Sequence, residues 1–315
     1  MIGTLDGAEP TVFGRIQDLA IDVGGDIRVL DSYANEIRRF TMAGQFRGKF
    51  GGRGSGPTEF QNPVAVAVTD SGRIVVASRG SLKVFDDRGS EISMLAQIPL
   101  GMIPSPRDMC VVGDDLVVRG WRTDDQTIVH VVTSSGRLMR SFGEGYRHGG
   151  TIVRQQLSQG PIACSNDPPG VVVAFHNMPI IQAYDMLGQL RWTARLPDFL
   201  PTPVVESVAA DGAPLVETDG SHDADRLISL TVIADSTVMA QVARLGPVDP
   251  AMNYAQPVQG IRAFLLSVAD GSGTRLVDGL AVILAATEDH LVGIDEDSVL
   301  AYTRVVIYDL PGGAP

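Results

Sequence analysis

Short apolar runs alternate along this chain with turns rich in Gly, Asp and Ser. Residues 57–89 show the pattern best: apolar runs at 63–68, 73–78 and 81–85 are separated by a tight turn at 70–72 and a short loop. Runs of this length between such turns predict β-strands, and no window has a sustained helical periodicity. The sequence therefore predicts an all-β protein.

The strand pattern repeats with a period of about 47 residues. Phe13 and Phe60 end matching Pro-Thr-x-Phe motifs, and Ile27 and Ile74 occupy equivalent second strands at the same interval. A fixed period of this size indicates a repeat architecture, and four short strands per repeat are typical of a β-propeller.

We predict a single six-bladed β-propeller with four-stranded antiparallel blades across residues 1–315. The last blade has three strands of its own, so the N-terminal residues 1–6 are expected to complete it and close the ring, which removes an open sheet edge. Residues 247–279 are interpreted as an insertion between blades five and six, the alternative being an ordinary hairpin that extends a blade. Seven blades are possible if residues 261–268 begin a blade of their own. The predicted blades cover about 13–50, 60–97, 106–143, 160–196, 203–246 and 280–310.

The overall charge limits the classes of partner. The net charge is −12, and an acidic surface repels both nucleic acid and anionic lipid. No apolar run is long enough to span a bilayer, and no signal peptide is visible at the N-terminus. We therefore expect another protein or protein complex as partner, no nucleic acid, and no transmembrane segment. Cys110 and Cys164 fall in equivalent first strands of successive repeats and are interpreted as two buried free thiols.

The linker Gly54-Ser55-Gly56-Pro57-Thr58-Glu59-Phe60 and the strands of repeat one resemble the NHL-repeat propellers, most of all their exported bacterial six-bladed type. Blades one and two carry the resemblance well, and blades four to six carry it weakly. The resemblance implies an extracytoplasmic protein, periplasmic or secreted, if a leader has been removed, and otherwise a cytoplasmic one. The family includes scaffolds, ligand binders and lyases, so it does not fix the function.

In a propeller, the loops after the second strands and those between blades lie on one face around the central channel. Polar residues at these positions are expected to form a funnel that binds a small polar ligand or a peptide, the alternative being a solvated loop face. The predicted face consists of Asp31, Arg79, Arg107, Arg119, Trp121, His176, Glu217 and Asp295.

Two metal sites are alternatives to an expected absence of cofactors. His176, His222 and Glu217 could hold zinc, as in the amidating lyases that the NHL resemblance brings in. Glu206, Asp18 and Asn62 could hold calcium, in a site similar to that of gluconolactonases. Either would indicate a metal-dependent lyase or lactonase at the channel mouth.

The favoured interpretation is a non-catalytic interaction protein, an accessory subunit that docks onto a larger extracytoplasmic or membrane-attached assembly. It depends on the absence of a nucleophile motif and on aromatic side chains of the type that carry interface energy. These candidates are Trp121, Tyr146, Trp192 and Phe199, for which packing between blades is the alternative.

Overall fold

The structure is a computed structural model in which six β-sheets surround a central channel. Nearly all regular structure is β, with one short helix, α1 (Thr151–Leu157), between the third and fourth sheets. None of the helical residues described forms a span long and apolar enough to cross a bilayer. The described residues are 1–4, 10–78, 80–86, 92–99, 106–122, 124–147, 150–208, 212, 214–249, 256–275, 278–297 and 302–310.

The first three blades each contain four antiparallel strands in chain order. Blade one comprises β1 (Ile16–Ile21), β2 (Ile27–Asp31), β3 (Glu36–Phe40) and β4 (Phe46–Gly51). Blade two comprises β5 (Ala65–Val68), β6 (Ile74–Ser78), β7 (Ser81–Asp86) and β8 (Ser93–Pro99). Blade three comprises β9 (Asp108–Val112), β10 (Asp115–Arg119), β11 (Thr127–Val132) and β12 (Leu138–Glu144).

The other three blades follow the same order, with a separate hairpin before blade five. Blade four comprises β13 (Ile162–Asn166), β14 (Pro169–Ala174), β15 (Ile180–Asp185) and β16 (Leu190–Arg195). The hairpin consists of β17 (Val204–Val208) and β18 (Pro214–Thr218). Blade five comprises β19 (Ala224–Ile233), β20 (Thr237–Leu245), β21 (Val258–Ser267) and β22 (Gly273–Arg275). Blade six comprises β23 (Val282–Ala286), β24 (His290–Asp297) and β25 (Tyr302–Asp309).

Burial explains why the second strands read as continuous apolar runs. All five residues of β2 and all five of β6 are buried, because the middle of each blade packs against both neighbouring blades. The outer strand β8 alternates between exposed and less exposed positions, as expected at the rim. The core therefore lies in layers between blades.

The ring closes as the sequence predicts. The backbone N–H of Ile2 donates to the carbonyl of Val305 at 2.8 Å, and that of Val305 donates to Ile2 at 2.7 Å. The N-terminal segment thus adds to β25 and supplies the fourth position of blade six. Adjacent first strands also contact one another around the ring, from β1 through β5, β9, β13, β19 and β23 back to β1. The six-bladed propeller is confirmed.

Blade five contains different strands from those that the sequence predicts. β19 is its first strand, and β21 and β22, which lie within the predicted insertion at 247–279, are its third and fourth. Residues 204–218, predicted as the start of this blade, form a two-stranded hairpin of their own. The long strands β19, β20 and β21 pair over most of their length, and this pairing defines the sheet.

The interpretation of the two cysteines as free thiols is wrong. Cys110 in β9 and Cys164 in β13 form a disulfide, with their Cα atoms 5.7 Å apart. Equivalent positions in the first strands of consecutive blades are neighbours in the ring, which brings the two sulfur atoms within bonding range. The bond joins blades three and four at the channel wall.

Candidate functional site

The central channel has a volume of about 690 Å³ and is walled by the first strands of the blades. Antiparallel pairing brings the start of each first strand beside the end of its second strand; Ile16 pairs with Asp31, and Asp108 pairs with Arg119. Residues just before first strands and just after second strands therefore lie at one end of the channel. We call this end the channel mouth.

Three arginines from alternate blades border the channel: Arg15 just before β1, Arg107 just before β9, and Arg226 near the start of β19. Their side chains are solvent-accessible and have no hydrogen bond or ion pair with any described residue. Arg28, by contrast, is buried and pairs with Asp22 at 2.8 Å. Burial among protein atoms lowers the pKa of Arg226. The mouth thus carries unpaired positive charge.

His176 lies among these arginines and is held in one tautomer. Its Nδ1 is 2.7 Å from the carbonyl oxygen of Leu227, an acceptor only, so Nδ1 carries the proton and Nε2 keeps its lone pair. The main chains of the two residues are also bonded, since Leu227 N–H donates to the His176 carbonyl at 2.8 Å. Burial, and next the charge of Arg226, lower the pKa of His176 to about 4, so the ring is neutral at pH 7.

Three carboxyl groups border the channel: Asp70 lies in the turn between β5 and β6, at the end opposite the mouth, and Asp18 and Asp108 lie in first strands. Asp18 accepts the backbone N–H of Val66 at 2.8 Å, and Asp108 accepts that of Ile162 at 3.0 Å; each of these donors belongs to the next blade. Burial raises the pKa of Asp108 to about 6 and raises that of Asp18, with the nearby Asp108 charge adding to the rise in Asp18. The Asp18 and Asp108 carboxylates therefore link neighbouring blades, since each accepts a hydrogen bond from a backbone N–H group of the next blade.

Arg119 and Trp121 lie beside the mouth but below the surface. Arg119 is 1% exposed and Trp121 is 8% exposed. They border a small cavity of about 20 Å³, which we call the side cavity. It is lined by Arg107, Arg119, Gly120, Trp121, Gln155, Ser158 and Gln159. Because Arg107 and Gln159 also line the channel, the two spaces adjoin.

Of the remaining predicted face residues, Asp31 lies beside Arg15 at the mouth end of β2 but does not line the channel. Asp31 is fully buried and accepts backbone N–H groups from Gly14 and Arg15 before β1, and from Tyr33 and Ala34 in its own turn, at 2.8–3.1 Å. This arrangement gives Asp31 a structural role.

Asp295 lies within β24, where it pairs across the sheet with Arg304 at an Nε–Oδ2 distance of 2.7 Å. Arg79 and the side chain of Glu217 lie outside the described residues, although β18, which contains Glu217, belongs to the hairpin and not to blade five. Of the eight predicted face residues, the structure brings Arg107, Arg119, Trp121 and His176 together.

Two of the predicted metal ligands, Glu217 and Glu206, have side chains outside the described part of the chain, so the predicted sites are only partly in view. Across the described residues, no group of three or more His, Cys, Asp or Glu side chains is arranged to hold a metal ion. The His222 side chain is 75% exposed, with Nδ1 2.7 Å from the Ser221 hydroxyl. In the calcium set, Asp18 is bonded to Val66 and the Glu206 side chain is not described.

The aromatic candidates for a docking surface are mostly packed inside. Trp192 is as buried as Trp121, and its Nε1–H donates to the Val268 carbonyl of blade five at 2.7 Å. Phe199 packs against the same core. Packing between blades, the alternative interpretation, is therefore correct for Trp192, and neither tryptophan is an exposed anchor.

Sequence reasoning missed Arg15 and Arg226. Arg15 directly precedes an apolar first strand, as Arg107 does, and this shared position is a signal that the sequence contains. Arg226 was not recognised because the predicted blade five begins near residue 203, whereas β19, which contains Arg226, is the first strand of this blade.

Comparison with solved structures places the chain among six-bladed propellers. It is similar to a DUF4221 family member from Bacteroides vulgatus (TM-score 0.64, 10% identity, covering 96% of this chain and 95% of that one). It is also similar to a Bacteroides fragilis protein assigned as exported (TM-score 0.57, 13% identity, 93% and 83%) and to a streptogramin B lyase (TM-score 0.50, 12% identity, 94% and 93%). At these identities the likeness concerns the fold alone. No known family profile and no curated protein sequence matches the chain.

Proposed function

We propose that this protein is an extracytoplasmic, NHL-type binding propeller that takes a small anionic ligand at its channel mouth. One observation carries the proposal: Arg15, Arg107 and Arg226 border one channel without an acidic partner among the described residues, in a chain of net charge −12. Unpaired arginines that face a concave, partly desolvated space attract carboxylate or phosphate groups.

The other ionisable residues near the mouth are compatible with a bound anion. His176 is neutral at pH 7 and presents no negative charge. Asp18 and Asp108 are engaged by backbone N–H groups of the next blade, and neither forms an ion pair with an arginine of the described chain.

Two features support an extracytoplasmic location. The Cys110–Cys164 disulfide is a bond that persists in oxidising compartments and is rare in the cytosol. The resemblance of blades one and two to exported NHL propellers points in the same direction.

Docking onto another protein, the interpretation favoured from sequence, loses its main argument because Trp121 and Trp192 are buried. No described feature favours a metal-dependent lyase or lactonase. Binding at the channel mouth is therefore the function that the geometry supports best.

The test is isothermal titration calorimetry at low ionic strength with acetate, succinate, citrate, phosphate and sulfate. We expect saturable binding of at least one anion that weakens as salt is added, because salt screens exposed charges. Arg107→Gln and Arg226→Gln should each weaken it about tenfold, equivalent to losing one charged hydrogen bond.

Arg137→Gln is the matched control. Arg137 is also exposed and unpaired among the described side chains, but it lies at the turn between β11 and β12, at the opposite end of the blade. Arg137→Gln changes the net charge by the same amount as the two mouth variants. An equal loss of affinity in Arg137→Gln would refute the proposal, and so would the failure of every anion to bind the wild type.

A further inference from the structure

Two residues that line the side cavity carry buried N–H donors with no hydrogen-bond acceptor in the described part of the chain. Neither Nη1 of Arg119 nor Nε1 of Trp121 has a partner among the described residues, and both atoms are inaccessible or nearly so from the surface. A buried donor without an acceptor destabilises the folded protein, and more so when it is charged. Two such donors on one cavity indicate that the site is built to receive an acceptor.

The other contacts of Arg119 fix where Nη1 lies. Nη2 donates to the carbonyl oxygens of Ser158 at 2.8 Å and Ala174 at 3.1 Å, and the guanidinium lies over the Phe175 ring at 5.3 Å. Among the residues that the structure describes, no carboxylate lies within ion-pair distance of Arg119, although Asp108 is near enough to act on its charge. The guanidinium is therefore a rigid, buried cation without a direct counterion.

Gly145 fixes the orientation of Trp121. A Cβ atom at Gly145 would lie 2.3 Å from Cζ3 of the indole, so the Cε3–Cζ3 edge of the ring packs directly on this glycine. The Nε1–H group is on the opposite edge, away from Gly145. The ring can be held this way only because residue 145 has no side chain.

The volume of the side cavity limits what can enter it. About 20 Å³ accommodates a group the size of one water molecule or one oxygen atom with its attached carbon, and not a whole phosphate. Arg107 borders the cavity and also the channel, so a group that enters from the channel passes this side chain.

We propose that the side cavity binds one oxygen of a carboxylate group, which accepts hydrogen bonds from Arg119 Nη1–H and Trp121 Nε1–H while the second oxygen faces Arg107. This inference rests on the proposed function and names its ligand class: an organic acid, or a peptide with a free C-terminus, and not a tetrahedral oxyanion. The carboxylate supplies both the missing acceptor and the missing negative charge.

The chain contains two tryptophans, so its indole N–H signals provide a direct readout. We would titrate ¹⁵N-labelled protein with succinate and observe both signals by NMR. The Trp121 signal should move downfield with saturation at the affinity found by calorimetry. The Trp192 signal is the internal control and should stay fixed, since its Nε1–H already donates to Val268.

Trp121→Phe identifies which indole N–H signal belongs to Trp121 and measures how much this donor contributes to succinate affinity. It removes the donor and keeps an aromatic ring against Gly145, and we expect about tenfold weaker succinate binding. Succinamide, the neutral isostere, should bind at least tenfold more weakly than succinate. Triglycine with a free or an amidated C-terminus distinguishes a peptide carboxylate from a small acid as the source of the group.

The two proposals fail in different ways. If succinate binds calorimetrically, with Arg107→Gln weakening it, but the Trp121 signal does not move, the side cavity holds water only. The carboxylate inference is then wrong, while the anion site at the mouth stands. If sulfate moves the Trp121 signal as succinate does, the selectivity for carboxylate is wrong. If none of the anions tested by calorimetry binds, both proposals fall.

Discussion

Polar side chains form hydrogen bonds between consecutive blades near the channel. Asp18 accepts from Val66 of blade two, Asp108 accepts from Ile162 of blade four, and Thr231 donates to the Ile283 carbonyl of blade six at 3.0 Å. A buried polar group costs free energy unless it is bonded, so each of these contacts is worth most when the neighbouring blade is in place. The polar residues near the channel therefore contribute to the geometry of the ring as well as to the site.

The buried His130 predicts that the free energy of unfolding depends on pH. It is fully buried in β11, with Nε2 3.1 Å from the Gly120 carbonyl and Nδ1 2.9 Å from the Ser141 hydroxyl. Burial lowers its pKa to about 4, whereas in the unfolded chain it titrates near 6.5. The unfolded state thus binds the proton first, and stability contributed by His130 is complete above pH 6.5 and declines as the pH falls to 4.

The expected size of this effect is about 3 kcal/mol, from 1.36 kcal/mol per pKa unit. Asp108 acts in the opposite direction: its raised pKa makes its contribution fall as the pH rises from 3.8 to 6. Urea unfolding of wild type and His130→Gln between pH 7.5 and 4 isolates the histidine, because the difference in free energy of unfolding should shrink on acidification. A constant difference, or an NMR titration of His130 near pH 6.5, would contradict the burial argument.

Residue-level prediction from sequence depended on locating strand ends. Arg107, Arg119, Trp121 and His176 were found because each lies at a strand end that the apolar pattern marks clearly. The pattern could not show that Arg119 and Trp121 point inward, since depth depends on how blades three and four pack around Gly145 and Ser158. Likewise, the bond between Cys110 and Cys164 depends on the distance between first strands, which the sequence does not contain.

At the scale of elements, the hairpin was the main source of error. Residues 204–218 read as two short strands with a turn, which is also how the first half of a blade reads. The distinction lies in pairing. Among the strands that the structure describes, β17 and β18 pair with each other alone, whereas β20 pairs with β19 on one side and β21 on the other. The short helix α1 was missed because seven residues are too few for a helical period to be recognised.

Deleting the two segments separately tests this assignment. The hairpin ends are close, since Asp219 N–H donates to the Pro203 carbonyl at 3.0 Å, so two glycines can replace 204–218. Blades four and five stay complete, and we expect one cooperative thermal transition with Tm shifted by less than about 5 °C. Deleting 258–275 removes two strands of blade five, including core residues Phe264 and Leu266, and should abolish cooperative unfolding.

Circular dichroism during heating gives the comparison directly. The assignment made from sequence, with 204–218 in the blade and 247–279 as an insertion, requires the reverse order of severity. A hairpin deletion more damaging than the deletion of 258–275 would therefore overturn the blade assignment described above.

At the scale of the whole molecule, closure joins the two ends of the described chain. Ile2 packs in one core cluster with Phe13 and Phe40 of the first repeat and with Val292 and Val305 of blade six. The same residue forms both backbone bonds to Val305. Closure was predictable because three strands at the C-terminal end left one position open, and the N-terminal residues precede the first repeat where a fourth strand belongs.

Ile2→Ala tests whether the N-terminal segment stabilises the ring through this packing. Ile2 is 3% exposed, and truncating a buried isoleucine to alanine costs about 2–4 kcal/mol, while the backbone bonds to Val305 stay possible. Met1→Ala is the matched control: Met1 belongs to the same segment but is 71% exposed, so its truncation should change the free energy of unfolding by less than about 0.5 kcal/mol. Urea unfolding measures both changes in free energy.

Because Ile2 contacts both blade one and blade six, its truncation should lower the midpoint of the whole transition instead of producing a separate early phase. Equal, small effects in the two variants would mean that blades one and six hold together without the segment, and that closure depends on the direct contacts between β1 and β23.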